Sequence, residues 1–341
     1  MKKRITSLCL CLLLLLSACS NSQKSDECSI SFFAMDTYIT FTAYGKDAKS
    51  ALATARNKID DLELLWSVTD EKSDVYAINH AEGQAVKVTD ETAELLEFSL
   101  SMAEQTDGTL DITVYPILSA WGFTTDENRI PSADEIETLL SLVGYKNIRQ
   151  DGNTVQLANG MMLDFGAVGK GYAGDIAADI LRENGVTSAL LNLGGNVQAV
   201  GSRPDGTDWR IGLQDPDGKS KIGVIEVSDL AVVTSGTYER YFIGEDGKKY
   251  GHIIDPVSGY PIENGLLSVT VIAKEGRLCD ALSTSLFVMG LDKATEYWHK
   301  NQNFDMILIT DSDDIYLTDG ISDSFTLDSD RGNMKVYVIN E

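Results

Sequence analysis

The sequence predicts an α+β protein: a single catalytic unit of mixed and antiparallel sheets packed by helices. Three observations predict it. Helical spacing recurs at 47–66, 90–105 and 279–300, strands crowd together between 188 and 243, and no stretch shows the regular βαβ alternation of a doubly wound sheet.

Residues 31–44 mix aromatic and β-branched residues in alternation and predict a strand. Ala51, Ala55, Ile59, Leu62 and Trp66 then recur at helical spacing over 47–66. A second helix is expected over 90–105, opened by Asp90 as N-cap. Pro131-Ser132 starts a third that ends near Gly144, and 154–164 reads as a hairpin turning at Asn159-Gly160. A helix follows from about Gly171 through Leu181, stopped by Asn184-Gly185. Strands are then expected at 188–193, 197–201, 208–214, 223–228, 231–234, 239–243 and 266–273. Helices at 279–289 and 292–300 lead into closing strands at 305–310, 314–317 and 334–339.

The N-terminus carries Lys2, Lys3 and Arg4, an apolar run through Leu16, then Ser17-Ala18-Cys19. The apolar run is shorter than the roughly 18–20 residues that span a bilayer, so it reads as an export signal. Its Leu-Ser-Ala-Cys ending resembles the lipobox of bacterial lipoproteins. The expectation is a signal over 1–18, a lipidated Cys19 with a polar tether to 29, and a catalytic domain over 30–341, held on the extracytoplasmic side of a membrane by lipid alone. Only Cys28 and Cys279 would remain to pair, and their separation argues against a disulfide framework. No CxxC or His/Cys cluster supports zinc. The net charge of -24 opposes nucleic-acid binding, which needs clustered Lys and Arg. It also disfavours an anionic ligand unless a divalent cation mediates.

Asp280 and Thr284 are four apart in a helical run and so share a face, offering hard oxygen ligands to Mg²⁺ or Ca²⁺. Residues 163–175 (LDFGAVGKGYAGD) place Gly166, Gly169, Gly171 and Gly174 around a helix start, where backbone N–H groups can hold phosphate oxygens. Lys170 could pair with a phosphate, and Asp164 could accept from a sugar or ring N–H. The spacing matches neither GxGxxG nor GxxxxGK[ST]. Gly194-Gly195 interrupts two apolar runs, as a hairpin turn does or as the floor of a ligand site would. His252, between Gly251 and two isoleucines, suits a partly buried imidazole facing a pocket. Asp111 is either a cap or a ligand to an amide or hydroxyl, and Met35 is a polarizable partner for a flat ring.

Seven blocks together resemble the FAD:protein FMN transferase, or ApbE, family: Met35–Thr37, 107–123, 163–175, 192–201, 234–242, 252–261 and 279–290, in the family's order. The resemblance implies a fold related to tunnelling folds, FAD as substrate and Mg²⁺ as cofactor, with Ca²⁺ or Mn²⁺ as alternatives. It implies transfer of FMN through its phosphate to a threonine or serine of an acceptor protein, with release of AMP. Such acceptors carry an FMN-binding domain and belong to membrane redox complexes. The implied metal ligands are Asp280, Thr284 and the carbonyl of Ala167. The implied FAD contacts are Met35, Thr109, Leu110, Asp111, Asp164, Lys170, His252 and Ile254. For the chemistry itself, Asp280 is expected to steer the hydroxyl proton as well as hold the metal, with His252 as the second candidate for proton transfer. Thr69 stands where many members have tyrosine, so no ring is offered to the flavin there. Two rival readings use the same residues: an FAD pyrophosphatase with water as acceptor, and a flavin-binding lipoprotein without catalysis.

Overall fold

The structure, a computed structural model, describes residues 26–125, 127–216 and 220–341. The signal, Cys19 and most of the tether lie outside the described residues. In chain order the elements are β1 (Glu27–Ala34), β2 (Thr37–Tyr44), α1 (Ala48–Trp66), α2 (Asp74–Asn79), β3 (Val86–Lys87), α3 (Asp90–Gln105), α4 (Tyr115–Trp121), α5 (Ala133–Leu140), β4 (Arg149–Asp151) and β5 (Thr154–Gln156). They continue with α6 (Gly169–Glu183), β6 (Ala189–Leu193), β7 (Asn196–Val200), β8 (Trp209–Gln214), β9 (Lys221–Val227), β10 (Ala231–Gly236), β11 (Tyr241–Ile243) and β12 (Lys249–Gly251). The last are β13 (Leu266–Ala273), α7 (Gly276–Asn301), β14 (Asp305–Thr310), β15 (Asp314–Thr318), β16 (Phe325–Leu327) and β17 (Lys335–Ile339).

Nine strands form one sheet in the order β1-β2-β6-β7-β10-β13-β14-β15-β17. Every neighbour in it is antiparallel except the final pair, β15 and β17. Alternation sends successive side chains to opposite faces. Ile39, Phe41, Leu191, Val233, Val271 and Leu308 meet the helices α1, α6 and α7 on one side. Val197, Ala199, Val232, Ile272 and Ile307 meet the small sheet β16-β9-β8 on the other. The result is three layers, with the main sheet buried between helices and a second sheet.

The expected α+β class agrees with this architecture, and several local expectations change. The strand foreseen over 31–44 is a hairpin, because Met35 and Asp36 adopt φ of 51° and 57° and turn the chain in two residues. Both φ values are positive, as a type I′ hairpin loop demands. Glu27–Ser29, assigned to the tether by sequence, are already paired with β2. Thr89, not Asp90, caps α3, its side chain accepting from Thr92 N. The hairpin expected at 154–164 lies earlier, β4 pairing with β5 around Gly152. The two helices expected at 279–289 and 292–300 are the two parts of α7, which break at Gly290, where φ is 77° and ψ is 170°. Cys28 is half-buried, Cys279 is buried, and both are free thiols.

Helices α6 and α7 meet at glycine. A Cβ on Gly171 would lie 2.3 Å from the Gly276 carbonyl oxygen and 2.6 Å from Asp280 Cβ. Asp175 locks the same junction, accepting from Gly276 N (2.6 Å) and Arg277 N (3.0 Å) at the start of α7. These are the free amides of a helix N-terminus, where a carboxylate is favoured. Burial nevertheless raises the Asp175 carboxyl to about 6, against the opposing pull of its two amide donors and Arg277. The folded pKa is above the unfolded one, so the stability this group contributes is complete below about pH 4 and is lost as pH rises through 6. Asp175→Asn does not titrate. Relative to that variant, the protein is therefore expected to lose up to about 3 kcal/mol between pH 4 and pH 7, at about 1.4 kcal/mol per pK unit. Urea unfolding at both pH values measures it, and an unchanged difference would rule the ionisation out.

Candidate active site

The site assembles where four turns converge on the α6–α7 junction. Before α6 the chain runs extended through Leu163, held by Asn79 of α2 in both directions: Asn79 Nδ2 donates to Leu163 O and Leu163 N donates to Asn79 Oδ1, each at 2.8 Å. That clasp fixes the start of the glycine turn at 164–169. Asp164 Oδ1 accepts from Gly166 N at 2.6 Å, shaping the turn itself. Burial raises the Asp164 carboxyl to about 6, with the Gly166 amide and the Lys170 charge opposing the rise.

Asp280 lies on α7, 4% exposed, and reaches this turn directly. Its Oδ2 accepts from Gly171 N at 2.8 Å. That N–H is one of the first amides of α6, which have no partner within the helix. The Ala167 carbonyl and Asp280 Oδ1 have no hydrogen bond among the described residues. Thr284, one turn beyond Asp280, is half-buried, and its hydroxyl lies 3.3 Å from Ser235 Oγ of β10. Ser235 Oγ is also 2.8 Å from Ser283 Oγ, which donates to the Asp280 carbonyl at 3.0 Å. The Asp280 carboxylate and the Thr284 hydroxyl share α7, and the Ala167 carbonyl belongs to the glycine turn that leads into the helix Asp280 binds. No group of three or more His, Cys, Asp or Glu suited to a metal occurs among the described residues. An all-oxygen set with one carboxylate fits Mg²⁺ or Ca²⁺ with water or phosphate completing the shell, not a softer ion.

The segment 237–252 forms the opposite wall. Arg240 Nη2 donates to Asp36 Oδ2 at 2.5 Å and to Asp36 O at 3.4 Å, tying this wall to the Met35–Asp36 turn. Met35 N in turn donates to Glu63 Oε1 of α1 at 2.8 Å. Beside it, the Gly194–Gly195 loop is a hairpin turn, φ 63° and 99°, packed so tightly that a Cβ at 194 would fall 1.9 Å from Thr37 Oγ1. His252 Nδ1 lies 3.2 Å from the Arg240 carbonyl. A carbonyl only accepts, so Nδ1 carries the hydrogen and Nε2 keeps the lone pair. Burial, then the positive charges of Arg240 and Lys170, push the imidazole down to about 4, and it is neutral at ordinary pH. Glu239 is exposed as a residue, yet loss of water around its carboxyl raises it to about 7, with Lys170 opposing and Asp280 adding to the rise. Glu239, Asp280, Lys170, Arg240 and His252 therefore share one electrostatic neighbourhood.

Not every expected contact is offered by a side chain. Both oxygens of Asp111 are already engaged: Oδ1 accepts from Thr113 N (2.9 Å) and Thr113 Oγ1 (2.6 Å), and Oδ2 accepts from Tyr145 N (2.9 Å). Of the two sequence readings, the cap is the one the geometry carries. Thr109 Oγ1 donates to Thr106 O, and Leu110 is 2% exposed. The Ile254 side chain is buried against Ile117, Trp121 and Ile136. The main chain beside them passes the site, since Asp164 N donates to Ile112 O at 3.0 Å. Lys170 Nζ lies 3.5 Å from Gly166 O, over the glycine turn. Sequence reasoning missed Glu239, Arg240, Ser235 and Ser283. Ser283 carried a usable signal, three residues after Asp280 on the same helix face, whereas the Arg240–Asp36 pair spans 204 residues and has no local signature.

A mixed-sheet α+β protein with an oxygen-lined junction beside a glycine turn is the class this fold and site define. The chain belongs to the ApbE family, whose model matches residues 35–308. It is 36% identical to an FAD:protein FMN transferase of Klebsiella pneumoniae over 262 residues, which is 75% of this chain and 81% of that one. It is 30% identical to the FAD:protein FMN transferase of Treponema pallidum over 92% of both chains. Among solved structures it resembles the ApbE protein of Thermotoga maritima, with a TM-score of 0.82, 34% identity, and coverage of 87% of this chain and 99% of that one. The apo flavinyl transferase ApbE of Pseudomonas stutzeri superposes with a TM-score of 0.76 at 31% identity, covering 84% and 92%.

Proposed function

We propose that this protein is an FAD:protein FMN transferase that moves FMN from FAD onto a threonine or serine hydroxyl of an acceptor protein and releases AMP. The observation that carries the reading is the Asp280–Gly171 bond, which sets the carboxylate of α7 against the glycine turn and leaves its second oxygen without a hydrogen bond. Asp280, Thr284 and Ala167 O would hold Mg²⁺, which when bound neutralises diphosphate charge.

The chain's own residues supply the rest. The glycine turn lets a diphosphate approach the backbone at the start of α6, and Lys170 adds a positive charge over it. The Met35–Asp36 turn, fixed by Glu63 and Arg240, closes the flavin end. The acceptor oxygen forms a bond to the FMN-side phosphorus as the bond from that phosphorus to the oxygen of AMP breaks. Its proton goes to His252 Nε2, the one lone pair the imidazole presents. Holding acceptor and phosphorus in line supplies several kcal/mol of the barrier reduction.

The test is mass spectrometry of an FMN-domain acceptor incubated with FAD and Mg²⁺. The expected result is a mass gain of one FMN with equimolar AMP. Free FMN without any gain would make the protein a pyrophosphatase, and bound FAD without AMP would make it a carrier. His252→Gln is expected to slow transfer by roughly 10²–10⁴-fold with FAD affinity retained. Because the imidazole is neutral above about pH 4, the parent rate should not lose a histidine-dependent limb between pH 5 and 7. A sharp histidine-dependent fall in that window would overturn the role. We further propose that the acceptor is part of an extracytoplasmic redox complex and that Cys19 anchors the enzyme beside it, which globomycin-sensitive processing and a Cys19→Ser variant released from membranes would test.

A further inference from the structure

Asn196 opens β7 next to the Gly194–Gly195 turn, is 5% exposed, and its amide nitrogen has no hydrogen-bond partner. A buried donor left this way costs about 1–3 kcal/mol, so native structures rarely keep one without use. Its place in the layers shows what lies above it. On β7 the helix-facing side chains alternate with Val197 and Ala199, which face the second sheet. Gln198 is on the helix face, its Oε1 2.9 Å from a Cβ built on Gly276 of α7. Asn196, two residues along, shares that face.

The strand register carries the argument to Asp280. Val197 pairs with Val232 and Gln198 with Ala231, which sets Asn196 across from Val233, midway between Ala231 and Ser235. Helix α7 runs over the same stretch: Cys279 Sγ lies 3.9 Å from Ala231 O, and Ser283 and Thr284 reach Ser235. Asp280, between them, is level with Asn196 and leans toward α6 through Gly171. Asn196 therefore lies on the sheet at the α6–α7 junction, at the level of Asp280.

We propose that Asn196 is a binding residue whose unpartnered amide donates to an oxygen of the diphosphate seated against Asp280. The inference rests on the flavin-dinucleotide reading above and adds to it a neutral donor beside the α6–α7 junction. In a chain of net charge -24, a donor without charge grips an anion without competing for the cation that Asp280 would hold.

The experiment compares the parent with Asn196→Leu, which matches the volume and removes the donor, and with Asn196→Ala, which avoids any packing clash. Three quantities are read: the melting temperature of the ligand-free protein, FAD affinity with Mg²⁺ by flavin fluorescence, and riboflavin affinity as the phosphate-free control. The ligand-free melting temperature is expected to hold or rise, FAD affinity to fall on the order of tenfold, and riboflavin affinity to stay level. Unchanged FAD affinity in both variants overturns the proposal and leaves the transferase reading standing. A joint fall in melting temperature and in both affinities overturns it too, by making the amide structural. Failure of the parent itself to bind FAD removes both.

Discussion

Asp280→Ala is expected to abolish FMN transfer, a loss of at least about 10³-fold, while the chain stays folded. Two effects coincide at this side chain. The variant removes the one carboxylate in the oxygen set, and a charge that stabilises a transferring phosphoryl group accounts for several kcal/mol. It also strands Gly171 N, whose partner is Asp280 Oδ2 at 2.8 Å. An unsatisfied buried N–H costs about 1–3 kcal/mol, well inside the stability of a domain this size. Asp280→Asn separates the two effects, because its amide oxygen still accepts from Gly171. Asn should restore stability and leave transfer low. Circular dichroism and AMP release read the two outcomes. Full activity in the alanine variant would move the chemistry away from the α6–α7 junction.

Gly171→Ala is expected to damage both stability and activity, more than a single methyl ordinarily does. The added Cβ would sit 2.3 Å from Gly276 O and 2.6 Å from Asp280 Cβ, closer than carbon atoms tolerate. Both obstacles are parts of α7 that cannot rotate aside. The helices must separate by about an ångström, and overpacking of this kind costs about 1–3 kcal/mol. Alanine favours helix over glycine by roughly 1 kcal/mol, so intrinsic propensity predicts the opposite sign. The contact wins because backbone meets backbone. The separation also pulls Asp280 from the glycine turn, so transfer should fall at least tenfold in protein that remains folded. A gain in melting temperature with normal activity would show the junction to be looser than its glycines suggest. Gly174→Ala is the control, since its Cβ would meet only Leu193 Cδ1, at 3.6 Å.

Much of the fold was legible because its signals are local. Ala51, Ala55, Ile59, Leu62 and Trp66 are all on the buried face of α1, which Ala48 and Leu52 complete. Strand boundaries from β6 to β10 followed from apolar runs broken by glycine and aspartate. The 31–44 segment misled because Met35 and Asp36 are not the Asn-Gly type residues that announce a two-residue turn. The hairpin near 154 was placed too late because Asn159-Gly160 carries the stronger turn signal, while the pairing uses Gly152. The pairing of Asp280 with the glycine turn came from family resemblance; spacing alone offered only a helix face. Asp111 shows the limit of the same reasoning. An aspartate before a short helix and two residues from a threonine satisfies the local rule for a cap, and the cap is what its oxygens serve. Arg240, Asn196 and Glu239 stayed hidden because their roles depend on which strands lie side by side.

The Asp280–Gly171 bond joins positions 109 residues apart, and Arg240 reaches back 204 residues to Asp36. A growing chain on the ribosome therefore displays the glycine turn long before its carboxylate partner has been translated. Contacts this distant form late, after the loop between them has closed. A chain that stops before α7 thus carries the glycine turn without the carboxylate that holds it.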